Sequence, residues 1–357
     1  MDAKCLEGKT AAILVADNFH VLETYYPYFR LKEAGAAVLF VGAQAGAVYK
    51  DSGGEPVTAN LCVEESLALS FDLIYCPGGF APLTLRANPA MLELARNHFE
   101  KGGLFATICH GGSFLVSMGI LRGKRATCYK TLRDDLVNAG AEYLDDAPII
   151  DGNLITGRTP ADLPEYMEAV IAAMEGRQLP ESDLTGKKAA ILVERRYQVH
   201  EVWYAYLRLK SKHIDTVVIG PDDEETVFSR YSQYPLTPDL TISSAASDLY
   251  NAVVVTGDWA SDRMRIETPF VDFIRKHYDA GKIVASIAEG HSVLVSAGLL
   301  RGRKVASIPE MRPDVENAGA TWIGPVTAVE RNLVTGGSTS NLPVFLPDLI
   351  RTIEELG

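Results

Sequence analysis

Short apolar runs alternate along the chain with segments of helical periodicity. The run AAILV (11–15) precedes VLETYYPYFRLKEAG (21–35), in which apolar residues recur at helical spacing. Short continuous apolar runs are typical of strands buried on both faces of a sheet. The later segment NPAMLELARNHFEKGG carries complete helix signals, with Asn88 as N-cap, Pro89 in the first turn and Gly102 at the end.

Three further apolar runs predict strands: AAVLFVG (36–42), FDLIYC (71–76) and LFATI (104–108). Strands that alternate with helices in this way form a mostly parallel sheet covered on both faces, so the fold class is α/β. Functional sites in such sheets lie beyond the carboxyl ends of the strands. Gly79 and Cys109 both follow directly on predicted strands.

The same pattern occurs twice. GKTAAILV (8–15) returns as GKKAAILV (186–193), and LRGK (121–124) returns as LRGR (300–303). The offset grows from 178 to 179 residues, which indicates one inserted residue between positions 210 and 285. A period of this length indicates duplication of a whole domain, not a solenoid.

The repeat predicts two domains, 1–178 and 179–357. The polar stretch EGRQLPESDLTGKK, which contains Pro180, suits a short linker between them. A chain of 357 residues is long enough for two domains of ordinary size.

Composition and charge argue against several classes of function and location. The net charge of −12 argues against a nucleic-acid partner, which requires a basic face. No apolar run reaches the roughly 18 residues of a membrane span, and the first residues, MDAKCLEGKT, lack the features of a signal peptide, so we expect a cytoplasmic protein. The five cysteines form no CxxC pair, which argues against a disulfide framework or a metal site.

The stretch TICHGGSF places Cys109 between a predicted strand and a helix expected to begin near Gly111. This is the pattern of a nucleophile elbow. The helix N-terminus is expected to lower the pKa of the thiol, and its N–H groups could bind an oxyanion. The alternative is a small buried core residue. Beside this cysteine, His110 is a candidate base or proton shuttle, or else a surface residue next to a turn.

Four stretches of the first half carry a family resemblance: VLETYYPYFRLKEAG, PGGFAPLTLR, ATICHGG and DGNLITGRTPADL. Together they resemble PfpI-type members of the ThiJ/PfpI superfamily, which includes deglycases, intracellular peptidases and glutathione-independent glyoxalases. The resemblance covers both halves. It implies two tandem flavodoxin-like (class I glutamine amidotransferase-like) α/β sandwich domains packed as a pseudo-dimer.

The resemblance also implies a site. The reactive cysteine of the family corresponds to Cys109, and its acidic partner, protonated and hydrogen-bonded to the sulfur, corresponds to Glu23. The backbone N–H groups of Gly79, in the Gly78–Gly79 turn, and of His110 are similar to the family's oxyanion hole. From the residues alone, Glu23 would pass as a solvated helix residue. Against that interpretation, Glu201 holds the same place in the second copy.

In PfpI-type members a glutamate reaches the histidine from the neighbouring subunit. The corresponding position is Leu83 in the first half and Asp262 in the second. Tandem members pair their domains as other members pair subunits, so the resemblance implies that Asp262 faces His110. The alternative is a surface acid in a loop. Paired subunits assemble further in many such members, which leaves a homo-oligomer of pseudo-dimers open.

The second copy departs from the pattern. It has Ala288 in place of Cys109 and Glu289 in place of the histidine. We therefore interpret it as catalytically dead. At the position of Arg158 the second copy has a glycine. Arg158 itself is expected either to bind a substrate oxygen or to form a structural salt bridge. His20 could reach the pocket, although a solvent-exposed histidine is the preferred interpretation.

The resemblance implies a glutathione-independent glyoxalase acting on small reactive carbonyls, with no metal or organic cofactor. A cysteine peptidase or amidase would use Cys109 as nucleophile, His110 as base and Asp262 as orienting acid. A third hypothesis is a redox sensor or chaperone without turnover, in which Cys109 is oxidised to a sulfinic acid stabilised by Glu23.

Overall fold

A computed structural model describes residues 4–176, 183–246 and 249–356. The chain divides into two compact units, Met1–Pro180 and Glu181–Gly357, called here the first and second unit. The middle of the predicted linker, with Pro180, lies outside the described residues. Across the described part of the chain, no helix is both long and apolar enough to cross a membrane.

The first unit is built on a seven-stranded sheet. The strands of this unit are β1 Thr10–Leu14, β2 Ala37–Gly42, β3 Val48–Lys50, β4 Pro56–Thr58, β5 Leu61–Cys62, β6 Leu73–Cys76, β7 Leu104–Ile108, β8 Arg125–Ala126, β9 Glu142–Tyr143, β10 Ile149–Asp151 and β11 Leu154–Gly157. The sheet order is β10-β11-β7-β6-β1-β2-β5, parallel except for the edge strand β10. This is the flavodoxin-like order, whose switch point lies between β1 and β6.

Helices connect these strands. They are α1 Val21–Glu33, α2 Val63–Ser66, α3 Ala81–Leu85, α4 Pro89–Glu100, α5 Gly112–Met118, α6 Arg133–Asn138 and α7 Leu163–Glu175. The predicted cap of α4 is confirmed, because Asn88 Oδ1 accepts the Ala90 N–H at 3.0 Å. Strands β6 and β7 are buried almost throughout, so the core lies along the centre of the sheet.

The second unit repeats this architecture. Its strands are β12 Lys188–Leu192, β13 Asp215–Gly220, β14 Val227–Phe228, β15 Pro235–Leu236, β16 Leu240–Thr241, β17 Ala252–Val255, β18 Ile283–Ile287, β19 Lys304–Val305, β20 Thr321–Trp322, β21 Thr327–Glu330 and β22 Leu333–Gly336. Its helices are α8 Val199–Lys210, α9 Ile242–Ala245, α10 Trp259–Met264, α11 Thr268–Asp279, α12 His291–Ala297, α13 Arg312–Asn317 and α14 Leu342–Leu356. The sheet order, β21-β22-β18-β17-β12-β13-β16, matches that of the first unit.

The inserted residue lies in the turn of one hairpin. In the first unit Asp51 N–H donates to Glu55 O, and in the second Ser229 N–H donates to Tyr234 O. The turn thus has three residues in the first unit and four, 230–233, in the second. The longer turn carries Arg230, which reaches the site region of the second unit.

Candidate active site

Cys109 lies at a sharp turn at the carboxyl end of β7. Its φ is 59°, in the left-handed region, and it opens a 3₁₀ turn, Cys109–Gly111, that leads into α5. A side chain at Gly111 would place its Cβ 1.9 Å from Thr107 Oγ1, so only glycine fits there. The thiol is buried, with 6% of the residue exposed. Strain at one non-glycine residue, held by a close-packed neighbour, is typical of functional sites.

Glu23 is fully buried in the first turn of α1, and its carboxyl group points toward the elbow. Its Oε2 accepts the Gly78 N–H at 3.0 Å. The other oxygen, Oε1, is buried without a partner of good hydrogen-bond geometry among the described residues, and the carboxyl group interacts with the Cys109 thiol. Burial raises the pKa of Glu23, and the charge of His20 opposes that rise. Glu23 is therefore not a solvated helix residue.

The electrostatics of the thiol differ from the expectation. Burial raises the pKa of Cys109, and the charge and hydrogen bond of Glu23 raise it further, whereas the N–H groups of His110 and Gly79 act in the opposite direction. The N–H group of His110 at the helix start does act to lower this pKa, but burial and Glu23 outweigh it, so the predicted net lowering is wrong. The helix after the 3₁₀ turn has only seven residues, and a buried acid stands beside the sulfur. Glu23 and Cys109 together tend to hold one negative charge at most, since two adjacent buried anions repel.

His110 borders the thiol on the other side. Its Nδ1 lies 3.4 Å from Cys109 Sγ. The ring stacks on Tyr129, with centroids 4.9 Å apart, and lies 5.9 Å from the ring of Phe80. Burial lowers the pKa of His110, which favours the neutral imidazole and thus a proton acceptor. Sequence reasoning did not single out Tyr129, since an aromatic residue nineteen positions after His110 gives no signal of this stacking.

The Pro-Gly-Gly turn after β6 forms the floor of the site. At Gly78 a Cβ would lie 2.4 Å from Glu23 Oε2 and 2.8 Å from Cys109 Cβ. At Gly79 the φ is 74°, and a Cβ would lie 2.6 Å from His20 N. Two glycines thus allow the turn to approach both the carboxyl group and the elbow.

The structure places Arg158 in ion pairs. Its guanidinium lies 2.9 Å from Asp162 Oδ1 and 3.3 Å from Asp145 Oδ1. Asp162 in turn acts on the pKa of Glu23, so this pair lies close to the site. The geometry supports the structural alternative for Arg158, and a role in binding substrate stays a prediction.

Asp262 belongs to the second unit. It lies in α10 and is exposed. Leu83, at the corresponding position of the first unit, is also exposed, at 54%. The supply of a carboxylate from Asp262 to His110 stays a prediction.

In the second unit the same backbone holds different side chains. Ala288 keeps the left-handed φ, at 51°, without a thiol. Glu289 Oε2 accepts the N–H of Asp258, the residue that stands in place of Gly79, at 3.1 Å. A carboxylate therefore already occupies one of the donors that an oxyanion would need. Asp258 also accepts a hydrogen bond from Arg230 of the longer turn, at 2.8 Å.

Glu201 is the counterpart of Glu23, and both of its oxygens have partners. Oε2 accepts the Gly257 N–H at 2.7 Å, and Oε1 accepts the Thr339 hydroxyl at 2.8 Å. Burial raises its pKa to about 8. Both carboxyl oxygens of Glu201 thus accept hydrogen bonds from the protein, whereas at Glu23 only one does, and the carboxyl group interacts with the thiol.

No group of three or more histidine, cysteine or acidic side chains in the described residues has an arrangement that could hold a metal ion. The first unit brings together a thiol, a buried carboxyl group, an imidazole whose pKa is lowered by burial, and two N–H groups directed at the sulfur.

The chain is similar to known proteins over one or both of its units. Protein DJ-1 homolog D of Arabidopsis thaliana is 26% identical over 96% of this chain and 97% of its own. The deglycase PfpI of Pyrococcus furiosus is 38% identical over 45% of this chain and 97% of its own. The crystal structure of Drosophila melanogaster DJ-1beta aligns with 47% of this chain and 91% of its own, at 27% identity and a TM-score of 0.45.

The sequence profile of the DJ-1/PfpI family matches residues 9–173 and, again, residues 187–352. The two matches lie within the two units and span most of the chain. The chain belongs to the DJ-1/PfpI family and carries two of its domains in tandem.

Proposed function

We propose that the chain is a cysteine-dependent enzyme that converts small reactive carbonyls such as methylglyoxal to 2-hydroxy acids without glutathione. The observation that carries this proposal is the contact of a buried carboxyl group, Glu23, with a thiol that also faces two backbone N–H groups. Such a carboxyl group can donate and accept one proton beside the sulfur. Relatives named deglycases support enzymatic activity in the family.

The first step is addition of the Cys109 sulfur to the aldehyde carbon. The thiol proton leaves to the neutral His110 imidazole, whose Nδ1 is 3.4 Å away. The carbonyl π electrons move to oxygen, and the oxyanion rests on the N–H groups of Gly79 and His110. Glu23, protonated because burial raises its pKa, donates its proton to that oxygen and gives the hemithioacetal.

Glu23 is then a carboxylate and serves as the base. It removes the proton from the former aldehyde carbon while the His110 imidazolium, formed in the first step, protonates the ketone oxygen, which gives an enediol. The proton on Glu23 then goes to the adjacent carbon as the hydroxyl group of the former aldehyde returns its proton to His110, which leaves a secondary alcohol and a thioester. The Glu23 carboxylate takes a proton from water, which hydrolyses the thioester to the 2-hydroxy acid, and the His110 imidazolium protonates the leaving sulfur, so both residues and the thiol return to their starting state. The sum is addition of one water to the dicarbonyl, with no external oxidant or reductant.

The contact between Sγ and Nδ1 also favours a second candidate, a cysteine hydrolase of amides or esters. A neutral imidazole beside a thiol is the minimum that such a hydrolase needs. The third hypothesis, a sensor oxidised at Cys109, has the same thiol beside Glu23 but predicts no turnover.

The test is lactate formation from methylglyoxal by the purified full chain without glutathione. We expect Cys109→Ala to abolish it. The matched control is Cys62→Ser: Cys62 caps α2 through its sulfur, which accepts the Glu65 N–H at 3.4 Å, and serine is a good N-cap. That variant removes a thiol elsewhere and should keep full activity.

Absence of lactate from the wild-type chain would overturn the carbonyl proposal. Cleavage of an amide or ester that depends on Cys109 would then establish the hydrolase. Selective peroxide oxidation of Cys109, with no turnover of either substrate class, would establish the sensor.

A further inference from the structure

Phe80 is an aromatic residue that the fold leaves in solvent. It is 64% exposed, and no aromatic residue in the described part of the chain is more exposed. It follows the Pro-Gly-Gly turn directly and precedes α3 as its N-cap, and its N–H donates to Asn18 O at 2.8 Å. Single exposed apolar side chains are ordinary on protein surfaces, so the exposure of Phe80 matters only through its position.

That position is beside the Cys109 site. The centroid of the Phe80 ring lies 5.9 Å from that of the His110 imidazole, at an interplanar angle of 34°. Phe80 is also bonded to Gly79, and the N–H groups of Gly79 and His110 are the two directed at the sulfur. The ring therefore lies next to the place where the oxygen of a carbonyl bound to Cys109 would rest.

The space below the sulfur is filled by the protein. Glu23 is fully buried there, and only 6% of Cys109 is exposed. A Cβ at Gly78 would lie 2.4 Å from Glu23 Oε2 and 2.8 Å from Cys109 Cβ, which leaves no room for a further group. A substituent on a carbonyl bound to Cys109 therefore has to extend outward, towards the solvent.

Aromatic rings border this way out. The imidazole of His110 contacts Phe80 and stacks on Tyr129, with centroids 4.9 Å apart. Leu83, one turn after Phe80, is also apolar and 54% exposed. An apolar substituent that leaves water against such a surface gains free energy, and an aromatic one gains ring packing in addition.

The second unit has an aromatic residue at the same position but engages its ring. Trp259 corresponds to Phe80. The guanidinium of Arg196 lies 4.0 Å from the centroid of the Trp259 ring, and that of Arg230 lies 5.7 Å from it. Ala288 replaces the thiol in this copy. In the copy that has the thiol, by contrast, the aromatic ring contacts the imidazole of the site and is open to solvent.

We propose that Phe80 is a specificity-determining residue of the Cys109 site, whose ring receives an aromatic substituent on the substrate. The inference rests on the proposed function and names its substrate class, the aryl-substituted 2-oxoaldehydes, with phenylglyoxal as the simplest example. The reaction steps are those given for methylglyoxal, with a phenyl group in place of the methyl group. The sum is again addition of one water, and the product of phenylglyoxal is mandelate.

The experiment compares Phe80→Ser with Phe80→Trp in the full chain. Serine removes the ring and is a preferred N-cap, so α3 should not be weakened. Tryptophan is the residue that the second unit uses, and it keeps an aromatic ring. Trp259→Ser is the matched control in the second unit. The first readout is the ratio of kcat/KM for phenylglyoxal, followed as mandelate, to kcat/KM for methylglyoxal, followed as lactate.

The second readout needs no turnover. Iodoacetamide and N-benzyliodoacetamide alkylate a thiol by the same displacement, in which sulfur bonds to the CH₂ carbon and iodide leaves. They differ only in the benzyl group. The rate of each at Cys109 is followed by mass spectrometry of the digested protein and divided by its rate with free cysteine, which removes the intrinsic difference between the reagents.

We expect Phe80→Ser to lower both the turnover ratio and the alkylation ratio by about tenfold relative to the wild type, as for the loss of one packed aromatic contact. Phe80→Trp should keep most of each ratio because the aromatic surface is retained. Trp259→Ser should leave both ratios at the wild-type value.

Unchanged ratios in Phe80→Ser would overturn the inference. Equal losses in Phe80→Ser and Phe80→Trp would also overturn it, since an aromatic contact would then not be the cause. Lactate formation with unchanged ratios would retain the proposed function and remove this role of Phe80. If the wild type turns over neither carbonyl but Phe80→Ser still lowers the alkylation ratio, the proposed reaction is wrong and the aromatic subsite stands.

Discussion

Glu201→Gln should stabilise the second unit, and increasingly so as the pH rises. Glu201 is 1% exposed, and burial raises its pKa from 4.5 to about 8. Glutamine has nearly the same shape. Its amide oxygen can accept the Gly257 N–H, and its NH₂ group can donate to the Thr339 hydroxyl oxygen, so the two contacts seen in the structure can be kept.

The magnitude follows from the two pKa values. An acid with a higher pKa in the folded than in the unfolded chain holds its proton more strongly when folded, so the free energy of unfolding falls as the pH rises between them. One unit of pKa is worth about 1.4 kcal/mol. For Glu201, with a pKa of 4.5 unfolded and about 8 folded, the wild type should lose about 3 kcal/mol between pH 4.5 and pH 7 and about 4 kcal/mol between pH 4.5 and pH 9. The glutamine variant lacks this dependence.

The assay is denaturant unfolding followed by tryptophan fluorescence at several pH values. The three tryptophans of the chain, Trp203, Trp259 and Trp322, all belong to the second unit, so the signal reports that unit. Trp203 lies on α8, two residues beyond Glu201. The quantity to compare is the difference in unfolding free energy between variant and wild type, which cancels the other titrating groups.

A difference that stays constant from pH 4.5 to pH 9 would refute the reasoning, because it would mean that Glu201 titrates alike in the folded and unfolded chain. Glu23→Gln is the matched variant in the first unit. It should leave the tryptophan-detected transition unchanged and abolish lactate formation, since glutamine cannot exchange the proton that the reaction needs.

Two further substitutions test the geometry of the sites. Gly78→Ala should lower turnover by about a hundredfold or more, because its Cβ would lie 2.4 Å from Glu23 Oε2 and displace the carboxyl group. Gly257→Ala introduces similar crowding in the second unit and should keep turnover. Loss of activity in both variants would contradict the assignment of a single live site. Ala288→Cys should not create a second active site, because Glu289 already accepts the Asp258 N–H that an oxyanion would need. The measurement is lactate formation in a Cys109→Ala background. Recovered activity would show that the second unit lacked only the thiol.

Much of the fold could be predicted because its signals are local. Apolar runs bounded by glycine and proline mark β1, β6 and β7, and the cap at Asn88 marks α4. The elbow at Cys109 was predictable for the same reason: a strand that runs directly into Cys-His-Gly-Gly leaves the chain few ways to turn. The repeat then extended each of these predictions to the second unit.

The electrostatics of the site could not be predicted, because they depend on contacts distant in sequence. Helical periodicity does not show that Glu23 is buried, since a carboxyl group in the first turn of an amphipathic helix is usually solvated. The rise in the pKa of Cys109 depends partly on that same carboxyl group, which lies 86 positions earlier in the chain. The hydrogen bond from Arg230 to Asp258 depends on a turn that is one residue longer than in the first unit. The repeat offset placed that inserted residue only somewhere between positions 210 and 285.

Under the proposed function, the two buried glutamates explain how one backbone supports an active and an inactive copy. Removing a carboxyl group from water destabilises both units, and at Glu201 two good hydrogen bonds still leave its pKa near 8. At Glu23 the second oxygen has no such hydroxyl partner, and the carboxyl group, whose pKa is raised by burial, interacts with the Cys109 thiol instead. The difference between the copies lies less in the fold than in whether that oxygen is occupied. Thr339 occupies it in the second unit, where the first unit has Pro160, a residue with no side-chain donor to offer.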